Sequence, residues 1–298
     1  NVADICPVGA LLSTDYIHKN RIWNLKKQPS VCQDCSIGCN IDVFSQKNQI
    51  FRLSPRENHD VNGYFMCDIG RYGFHRFEEI ERVTQPMIRK GDSFVSIEWE
   101  KAILDTAKTL KSAGGKVDGI IGNLSQIDDE EITYPSGFRI SSDRSPNRNG
   151  MNDVCPVNVD DLISEIDEQN IRTIYILDDG VDRDFDEVWK GILSKMDFVV
   201  VQTYRMTMLA QSANIILPGL APFEREGTIT NDGGRVQWLR PSLPIKGESR
   251  ADWEILMMAL KALDNDAQNF TDVSQVMKKM GEKIPAYKDV SFFKLGDK

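Results

Sequence analysis

The organising feature of this sequence is a group of four cysteines, found in Cys32-Gln33-Asp34-Cys35-Ser36-Ile37-Gly38-Cys39 and, after 27 intervening residues, in Cys67-Asp68-Ile69-Gly70. Thiolates bind iron through sulfur, and a cubane of four irons needs four of them, one for each iron. Three closely spaced cysteines can wrap one side of such a cluster, and a distant fourth closes the cage. Gly38 can take a positive φ, which lets backbone amides turn toward the cluster sulfides. The spacing therefore predicts a [4Fe–4S] cluster bound by Cys32, Cys35, Cys39 and Cys67.

Zinc held by the same four thiolates is the main alternative. Zinc ribbons pair two C-x2-C knuckles, whereas here three cysteines are close together and one is distant. This asymmetry favours the cubane, and a non-redox zinc module that binds other proteins stays open as an alternative. Structural disulfides are disfavoured, because four of the six cysteines lie within 36 residues instead of spreading along the chain.

The composition is that of an ordinary globular protein with enough apolar sequence for two domains. Of the 298 residues, 41% are hydrophobic and 27% are charged, and no apolar run is long enough to span a membrane. A formal net charge of −9 argues against nucleic acid as the main partner. The chain opens Asn1-Val2-Ala3-Asp4 without a methionine or a signal peptide. We expect it to be a piece of a longer chain or one member of a split polypeptide.

The hydrophobic pattern predicts a small mixed α+β domain followed by a doubly wound α/β domain. Between the third and fourth cysteines, residues 41–45 and 49–53 alternate as the two strands of a hairpin. From residue 97 onward helices and strands alternate, which is typical of a mostly parallel sheet covered on both faces. The predicted helices are 99–110, 159–168, 185–196, 206–212 and 253–263, and the predicted strands are 117–122, 173–177, 198–202 and 215–218.

Three local features of the α/β region are also predicted. The polar stretch 128–152 has no clear period and is interpreted as an irregular connection. Ser249 or Asp252 is expected to cap the helix 253–263. Asp178 and Asp179 follow a predicted strand, at the edge where open α/β sheets bind ligands. Because an acidic loop binds phosphate poorly, we interpret these two residues as solvated loop acids.

Longer stretches of the sequence resemble a known family. The cysteine spacing, with Cys67-Asp68-Ile69-Gly70-Arg71-Tyr72-Gly73-Phe74 and Arg82-Val83-Thr84-Gln85-Pro86-Met87-Ile88-Arg89, is similar to the iron–sulfur domain of molybdopterin oxidoreductases. Within that superfamily the chain most resembles the large iron–sulfur subunit, designated G, of bacterial NADH–quinone oxidoreductases, the respiratory complex I. The further segments that carry this resemblance are 5–12, 214–219, 224–231, 234–237 and 250–254. It implies three parts: 1–28 as the tail of a preceding ferredoxin-like domain, 29–85 as the iron–sulfur domain, and 86–298 as the α/β domain.

The same resemblance implies an electron-transfer protein in the cytoplasmic, peripheral arm of that respiratory complex. Its partners would be the other peripheral-arm subunits, with neither nucleic acid nor direct membrane insertion, and the chain would not catalyse alone. Cys6 would be a ligand of a neighbouring cluster only in the full-length protein, since the other ligands of that cluster would precede residue 1. A purely structural role for the main cluster stays an alternative to electron transfer.

Two departures from the family concern a pterin cofactor. Pterin-dependent relatives commonly have lysine in a C-x-K-G pattern at the fourth ligand, and Ile69 stands at that position. The central region is short, with only 114–156 where the family has far more chain, and Cys155 is the one spare cysteine that could bind molybdenum. We expect Cys155 to be a small buried residue and no molybdopterin to be bound. A fragment of a molybdopterin-dependent oxidoreductase, similar to formate dehydrogenases, is the alternative.

Overall fold

The computed structural model describes residues 2–78, 81–112, 117–121, 131–154, 166, 168, 171–180 and 187–296. Their strands form a three-stranded sheet, a six-stranded sheet and two separate two-stranded hairpins. The loop between the first two strands of the small sheet carries three cysteines, and the large sheet forms the core of the second domain. Within this part of the chain, no helix has both the length and the apolar character that crossing a membrane requires.

The small sheet is an antiparallel meander. It consists of β1 (Lys26–Val31), β2 (Asn40–Gln46) and β3 (Gln49–Pro55), paired in that order. Lys47 and Asn48 both take a positive φ in the turn that joins β2 to β3, so the predicted hairpin is confirmed. Nearly all of β2 is buried. A later segment of the chain lies against this strand, since Ser45 Oγ donates a hydrogen bond to Ser242 O at 3.1 Å.

Short helices flank the small sheet: α1 (Val2–Ile5), a 3-10 turn at Ile22–Asn24, α2 (Asp68–Tyr72) and α3 (His75–Glu78). The beginning of the chain packs against this domain, because the Asp4 carboxylate forms ion pairs with Arg71 on α2 and, at 3.2 Å, with Arg52 on β3. The boundaries 1–28, 29–85 and 86–298 stay predictions, and β1 begins at Lys26.

The remaining strands are β4 (Met87–Lys90), β5 (Ser93–Ser96), β6 (Val117–Ile121), β7 (Ile132–Thr133), β8 (Arg139–Ile140), β9 (Thr173–Leu177), β10 (Phe198–Thr203), β11 (Ile215–Pro218), β12 (Gly227–Thr230) and β13 (Val236–Leu239). The remaining helices are α4 (Trp99–Ser112), α5 (Arg148–Val154), α6 (Glu187–Ser194), α7 (Met208–Ser212), α8 (Asp252–Leu263), α9 (Val273–Lys283) and α10 (Phe292–Leu295), with a 3-10 turn at Pro285–Tyr287.

The large sheet has the strand order β5-β4-β11-β10-β9-β6. The four strands β11, β10, β9 and β6 are parallel, and β4 and β5 form an antiparallel edge next to β11. Adjacent parallel strands joined through helices need crossover connections, which place those helices on the faces of the sheet. The predicted α/β class with a mostly parallel sheet is therefore confirmed.

Both faces of the large sheet are covered by helices. Ile174 and Ile176 on β9 pack with Trp189 on α6 in one apolar cluster. Tyr175, between them on the same strand, belongs to a second cluster with Ile103 on α4 and Ile255 on α8. Alternate side chains of one strand point to opposite faces, so the doubly wound arrangement follows from the continuous apolar sequence of β9.

The interpretation of residues 128–152 as an irregular connection is wrong for the part that the structure describes. That stretch contains the short antiparallel pair β7–β8 and most of the helix α5. Gly137, with φ of +81°, forms the turn between the two strands, and strands of two residues are too short to show a period. The predicted helix 159–168 lies outside the described residues, apart from 166 and 168.

The predicted cap of the helix 253–263 is also wrong. The helix begins at Asp252, and Ala251 precedes it as the capping residue. The Glu254 side chain accepts a hydrogen bond from the Ala251 N–H at 3.1 Å. The Asp252 carboxylate is engaged elsewhere, because it accepts a hydrogen bond from Gln202 Nε2 at 2.6 Å.

Candidate metal centre

The fold brings the four predicted ligands together from two segments of the chain, the loop between β1 and β2 and the residue before α2. Cys32 directly follows β1, Cys39 directly precedes β2, and Cys35 lies on the loop between them. The Cys32 N–H donates to Cys39 O at 2.8 Å and closes the base of this loop. Cys67 is the residue before α2, and its sulfur accepts a hydrogen bond from the Gly70 N–H at 3.4 Å.

Three of these four sulfurs are withdrawn from solvent. Cys32, Cys35 and Cys39 are 5–6% exposed, and Cys67 is partly exposed. Burial raises the pKa of Cys32 well above its ordinary value, and the neighbouring cysteines Cys39, Cys35 and Cys67 raise it further. Burial likewise raises the pKa of Cys35 and of Cys39. Bound metal would stabilise these neighbouring sulfurs as thiolates, which burial alone disfavours, so the donor set fits an iron–sulfur cluster.

The arrangement differs from that of a single-ion site. Among the described residues, no group of three or more histidine, cysteine, aspartate or glutamate side chains is placed to hold one metal ion. A tetrahedral zinc would draw its four sulfurs to about 2.3 Å from a common centre, whereas a cubane keeps its four ligands further apart, one on each iron. It is the asymmetric spacing of the four cysteines in sequence that favours the larger group.

Residues of the second domain hold the cysteine loop. Gly38 has φ of +65°, and a Cβ at this position would lie 2.6 Å from Gln237 Oε1. Gln237 Nε2 on β13 donates to Gly38 O at 2.8 Å and to Asn40 Oδ1 at 2.7 Å. Asn231, at the end of β12, donates from Nδ2 to Ile37 O at 3.1 Å. The conformation of the loop therefore depends on the β12–β13 hairpin.

A segment of the short central region holds the other side of the loop. The Ser36 N–H donates to Asp143 O at 2.9 Å, and Ser36 Oγ donates to Ser141 Oγ at 2.8 Å. The Arg148 guanidinium in turn contacts both oxygens of the Asp143 side chain, at 2.6 and 2.7 Å. The stretch expected to be an irregular connection thus contributes to the support of the candidate site.

Two glycines of the fourth-ligand segment allow it to approach the loop closely. A Cβ on Gly70 would lie 2.8 Å from Cys32 Sγ, and one on Gly73 would lie 2.9 Å from Asp34 Oδ2. Ile69, at the position where pterin-dependent relatives have lysine, is 46% exposed. Gly70 on α2 and Gly73 directly after it thus let this helix lie close to the cysteine loop.

Asp34 and Arg76 form an ion pair beside this loop, and neither residue was among the predicted site residues. Asp34 lies between the first two cysteines, and its side chain is 8% exposed. Arg76 on α3 contacts Asp34 Oδ1. The sequence could not predict this ion pair, because the two residues are 42 positions apart and nothing in their local sequence links them.

A cleft of about 430 Å³ opens at the carboxyl ends of the central parallel strands. Its walls include Gln33 from the cysteine loop and Thr228 and Ile229 from β12. Its acidic side chains outnumber its cations: among the described lining residues, Asp178, Asp179, Glu226 and Asp252 stand against Arg225. A pterin–guanine dinucleotide carries pyrophosphate groups, and like charges repel in a partly desolvated cleft. The described walls of this cleft do not fit such a cofactor.

The interpretation of both Asp178 and Asp179 as solvated loop acids is wrong for Asp178. Its carboxylate is 8% exposed and accepts hydrogen bonds from the Gly180 N–H at 2.9 Å and from the Thr207 hydroxyl. Burial raises the pKa of Asp178 to about 6. The position at the end of a strand suggested exposure, and the helix α7, which Thr207 caps, covers it instead.

Cys6 and Cys155 are the two cysteines that are not among the four candidate ligands. Cys6 follows α1 and is a partly exposed free thiol. Hydrogen bonding to nearby backbone N–H groups, foremost that of Leu11, lowers its pKa. Its role as a ligand of a neighbouring cluster stays a prediction. Cys155, the spare cysteine considered for molybdenum, lies outside the described residues.

Comparison with known proteins identifies two domains in the chain. Residues 25–78 match the family described as molybdopterin oxidoreductase Fe4S4 domain, and residues 141–261 match the family described as molybdopterin oxidoreductase. The first match takes in all four ligands of the candidate site, and the second takes in the β12–β13 hairpin that holds their loop. Two regions of the chain are therefore similar to an Fe4S4 domain and to a molybdopterin oxidoreductase domain, in line with the resemblance seen in the sequence.

Curated relatives match a limited part of the chain. The NADH-quinone oxidoreductase subunit that is designated G in Escherichia coli (strain K12) is 40% identical over 123 residues, which make up 40% of this chain and 13% of that protein. NADH-quinone oxidoreductase subunit 3 of Thermus thermophilus is 36% identical over 120 residues, or 40% of this chain and 15% of that protein. The chain thus spans less than a fifth of the length of the relatives it matches.

A solved structure shows the same fold over most of the chain. Acetylene hydratase from Pelobacter acetylenicus matches with a TM-score of 0.63, covering 90% of this chain and 73% of that one. The two sequences are 9% identical, so this likeness concerns the fold alone.

Proposed function

We propose that this chain, built from an Fe4S4 domain and a molybdopterin oxidoreductase domain, is an electron-transfer iron–sulfur subunit of a respiratory NADH–quinone oxidoreductase. It binds one [4Fe–4S] cluster through Cys32, Cys35, Cys39 and Cys67 and carries no pterin. The observation that supports this most is the site itself: three buried thiols lie on a loop held from both sides, and the partly exposed thiol of Cys67 lies near them at the start of α2.

In this proposal the residues of the chain bind the cluster, exclude water from most of it and leave one side near the protein surface. Three thiols and the loop backbone enclose one side, α2 with its glycines encloses another, and Cys67 lies nearest to solvent. The cluster, when bound, accepts and donates one electron at a time. Because Cys67 is the partly exposed member of the four ligands, its side of the site gives electrons a short path, while the buried ligands are insulated by protein.

The partners belong to the same proposal. Proteins whose names identify them as subunits of NADH-quinone oxidoreductases match 40–45% of this chain at 34–40% identity. We infer that the chain assembles with other peripheral-arm subunits on the cytoplasmic side, without inserting into the membrane. It supplies no catalytic residue of its own.

A fragment of a molybdopterin-dependent enzyme is the second candidate. The match of residues 141–261 and the cleft at the edge of the large sheet favour it. The acidic walls of that cleft and the presence of Ile69 instead of lysine speak against it. A four-cysteine zinc module is less consistent with the asymmetric spacing of the four cysteines in sequence.

Metal analysis of anaerobically purified protein tests the proposal. We expect about four iron and four acid-labile sulfide per chain, as a cubane requires, and an EPR signal after reduction. Cys35→Ala should lose this signal, and the matched variant Cys6→Ala should keep it. Stoichiometric zinc without sulfide would overturn the proposal in favour of the zinc module, and molybdenum with pterin fluorescence would favour the second candidate.

A further inference from the structure

A buried carboxylate lies directly against one of the four cysteines. Asp34 Oδ2 accepts a hydrogen bond from Cys32 Sγ at 3.3 Å, and the Asp34 side chain is 8% exposed. The opposite oxygen of the carboxylate contacts the Arg76 guanidinium. Arg76, on α3, is 39% exposed in its side chain, and its guanidinium also lies 5.0 Å from the ring centre of Phe77.

The glycines of the fourth-ligand segment leave room for this carboxylate on one side. A Cβ on Gly73 would lie 2.9 Å from Asp34 Oδ2, and a Cβ on Gly70 would lie 3.7 Å from the same atom. The bare face of α2 therefore encloses Asp34 from one side. Arg76 follows three residues after Gly73, so the same short segment supplies both the space for the carboxylate and its counter-charge.

Metal binding changes the balance of charge at this contact. A cysteine that ligates iron is a thiolate and has no proton to donate, so the Asp34 carboxylate would face a negative sulfur. Two negative groups at this distance repel strongly in a dry site. The Arg76 guanidinium is close enough to both to compensate them, and it lowers the pKa of Cys32 against the larger, opposite effect of burial.

Charge near a cluster governs how easily the cluster accepts an electron. Net charge and burial around the sulfurs are among the factors that set reduction potentials in iron–sulfur proteins. A nearby negative charge opposes reduction, and a nearby positive charge favours it. Arg144, close to Cys35, is a further guanidinium beside the site, so the pair modifies a potential to which other groups also contribute.

We propose that the Asp34–Arg76 ion pair tunes the reduction potential of the cluster. The negative charge of Asp34 lowers the potential, and the positive charge of Arg76 counteracts this lowering. Both are positioning residues that act on the cluster through its ligand Cys32. This inference rests on the proposed function, since it needs a redox-active cluster on the four cysteines.

Potentiometric titration of the cluster, followed by EPR on the full chain, tests the proposal. Arg76→Gln should lower the midpoint potential, because it leaves the buried carboxylate uncompensated. Asp34→Asn should raise it, and the double variant D34N/R76Q should lie between the two single variants. Arg76→Lys keeps the charge and should stay close to the wild-type potential. Lys279→Gln, which removes one positive charge from an exposed pair on α9, should leave the potential unchanged.

Iron and sulfide analysis of each sample separates the possible failures. A full cluster with potentials that do not move, or that move in the same direction in both single variants, overturns this inference and leaves the proposed function standing. A wild-type chain without a cluster overturns both. If Arg76→Gln does not retain the cluster, the isosteric Asp34→Asn variant tests the inference by itself. A raised midpoint potential supports the inference, and an unchanged or lowered one overturns it.

Discussion

Gln237 on β13 binds the cysteine loop of the other domain with a single amide nitrogen, which donates to Gly38 O at 2.8 Å and to Asn40 Oδ1 at 2.7 Å. Gly38 and Asn40 precede Gln237 by 199 and 197 positions in sequence. The conformation of the loop is therefore a property of the two domains together.

Gln237→Leu removes both hydrogen bonds while keeping a side chain of similar size. Leaving buried polar groups without partners costs about 1–3 kcal/mol, so we expect a lower free energy of unfolding and faster loss of iron on exposure to a chelator. Urea denaturation and iron release measure these two effects. Gln85→Leu, at an exposed amide that pairs with Glu248, is the control. Equal behaviour of the two variants would contradict the role given to Gln237.

Gly38→Ala should be more harmful than the same change at another left-handed glycine. Gly38 and Gly234 have φ of +65° and +76°, so alanine is strained at both by about 1–2 kcal/mol. At Gly38 the new Cβ would also meet Gln237 Oε1 at 2.6 Å, whereas nothing lies within 4 Å of one at Gly234. We expect the Gly38→Ala variant to lose iron and sulfide and the Gly234→Ala variant to keep them, as measured on purified protein. Full clusters in both variants would count against this packing argument.

Gly70→Ala should separate helix stability from cluster binding. Alanine in place of glycine within a helix is usually stabilising by about 0.5–1 kcal/mol, which we expect for Gly191→Ala on α6, where a Cβ would meet nothing within 4 Å. At Gly70 the Cβ would lie 2.8 Å from Cys32 Sγ, so this variant should assemble less cluster despite its gain in helix propensity. Thermal unfolding and iron content are measured together. A Gly70→Ala variant with full iron would be inconsistent with the close approach of α2.

Asp178 should make the folded state less stable as the pH rises. Its pKa is about 6 in the folded chain against 3.8 as its ordinary value, so the folded state binds more protons between these values. The stabilisation is complete below about pH 4 and is lost as the pH passes 6. We expect Asp178→Asn to flatten this part of the stability curve and to gain on the order of 1–3 kcal/mol relative to wild type at pH 7. Urea midpoints at several pH values measure it, with the exposed Asp266→Asn as control. A stability difference between Asp178→Asn and wild type that does not grow between pH 4 and pH 7 would contradict the prediction.

The sequence could predict those features whose signals are local. Cysteine spacing identified the candidate ligands, and the apolar run of β9 and its alternation with helices identified the α/β domain. The contacts of Asn231 and Gln237 with the cysteine loop were not predicted, because nothing near these residues in sequence indicates that they bind a loop some 200 positions away. Asp178 was misread for a related reason: its burial comes from Thr207 and α7, which lie 29 residues and more downstream. Distant contacts of polar side chains have no period, and only the folded chain shows them.

The β12–β13 hairpin imposes an order on biosynthesis. All four ligands have left the ribosome soon after residue 67 is made, yet Asn231 and Gln237 are translated far later. Until then the loop lacks the two side chains that fix Ile37 O and Gly38 O in place. If the proposed cluster is bound, we expect its stable binding to be a late event in the maturation of this chain, because a nascent chain interrupted before residue 231 has all four cysteines but lacks the Asn231 and Gln237 contacts to their loop.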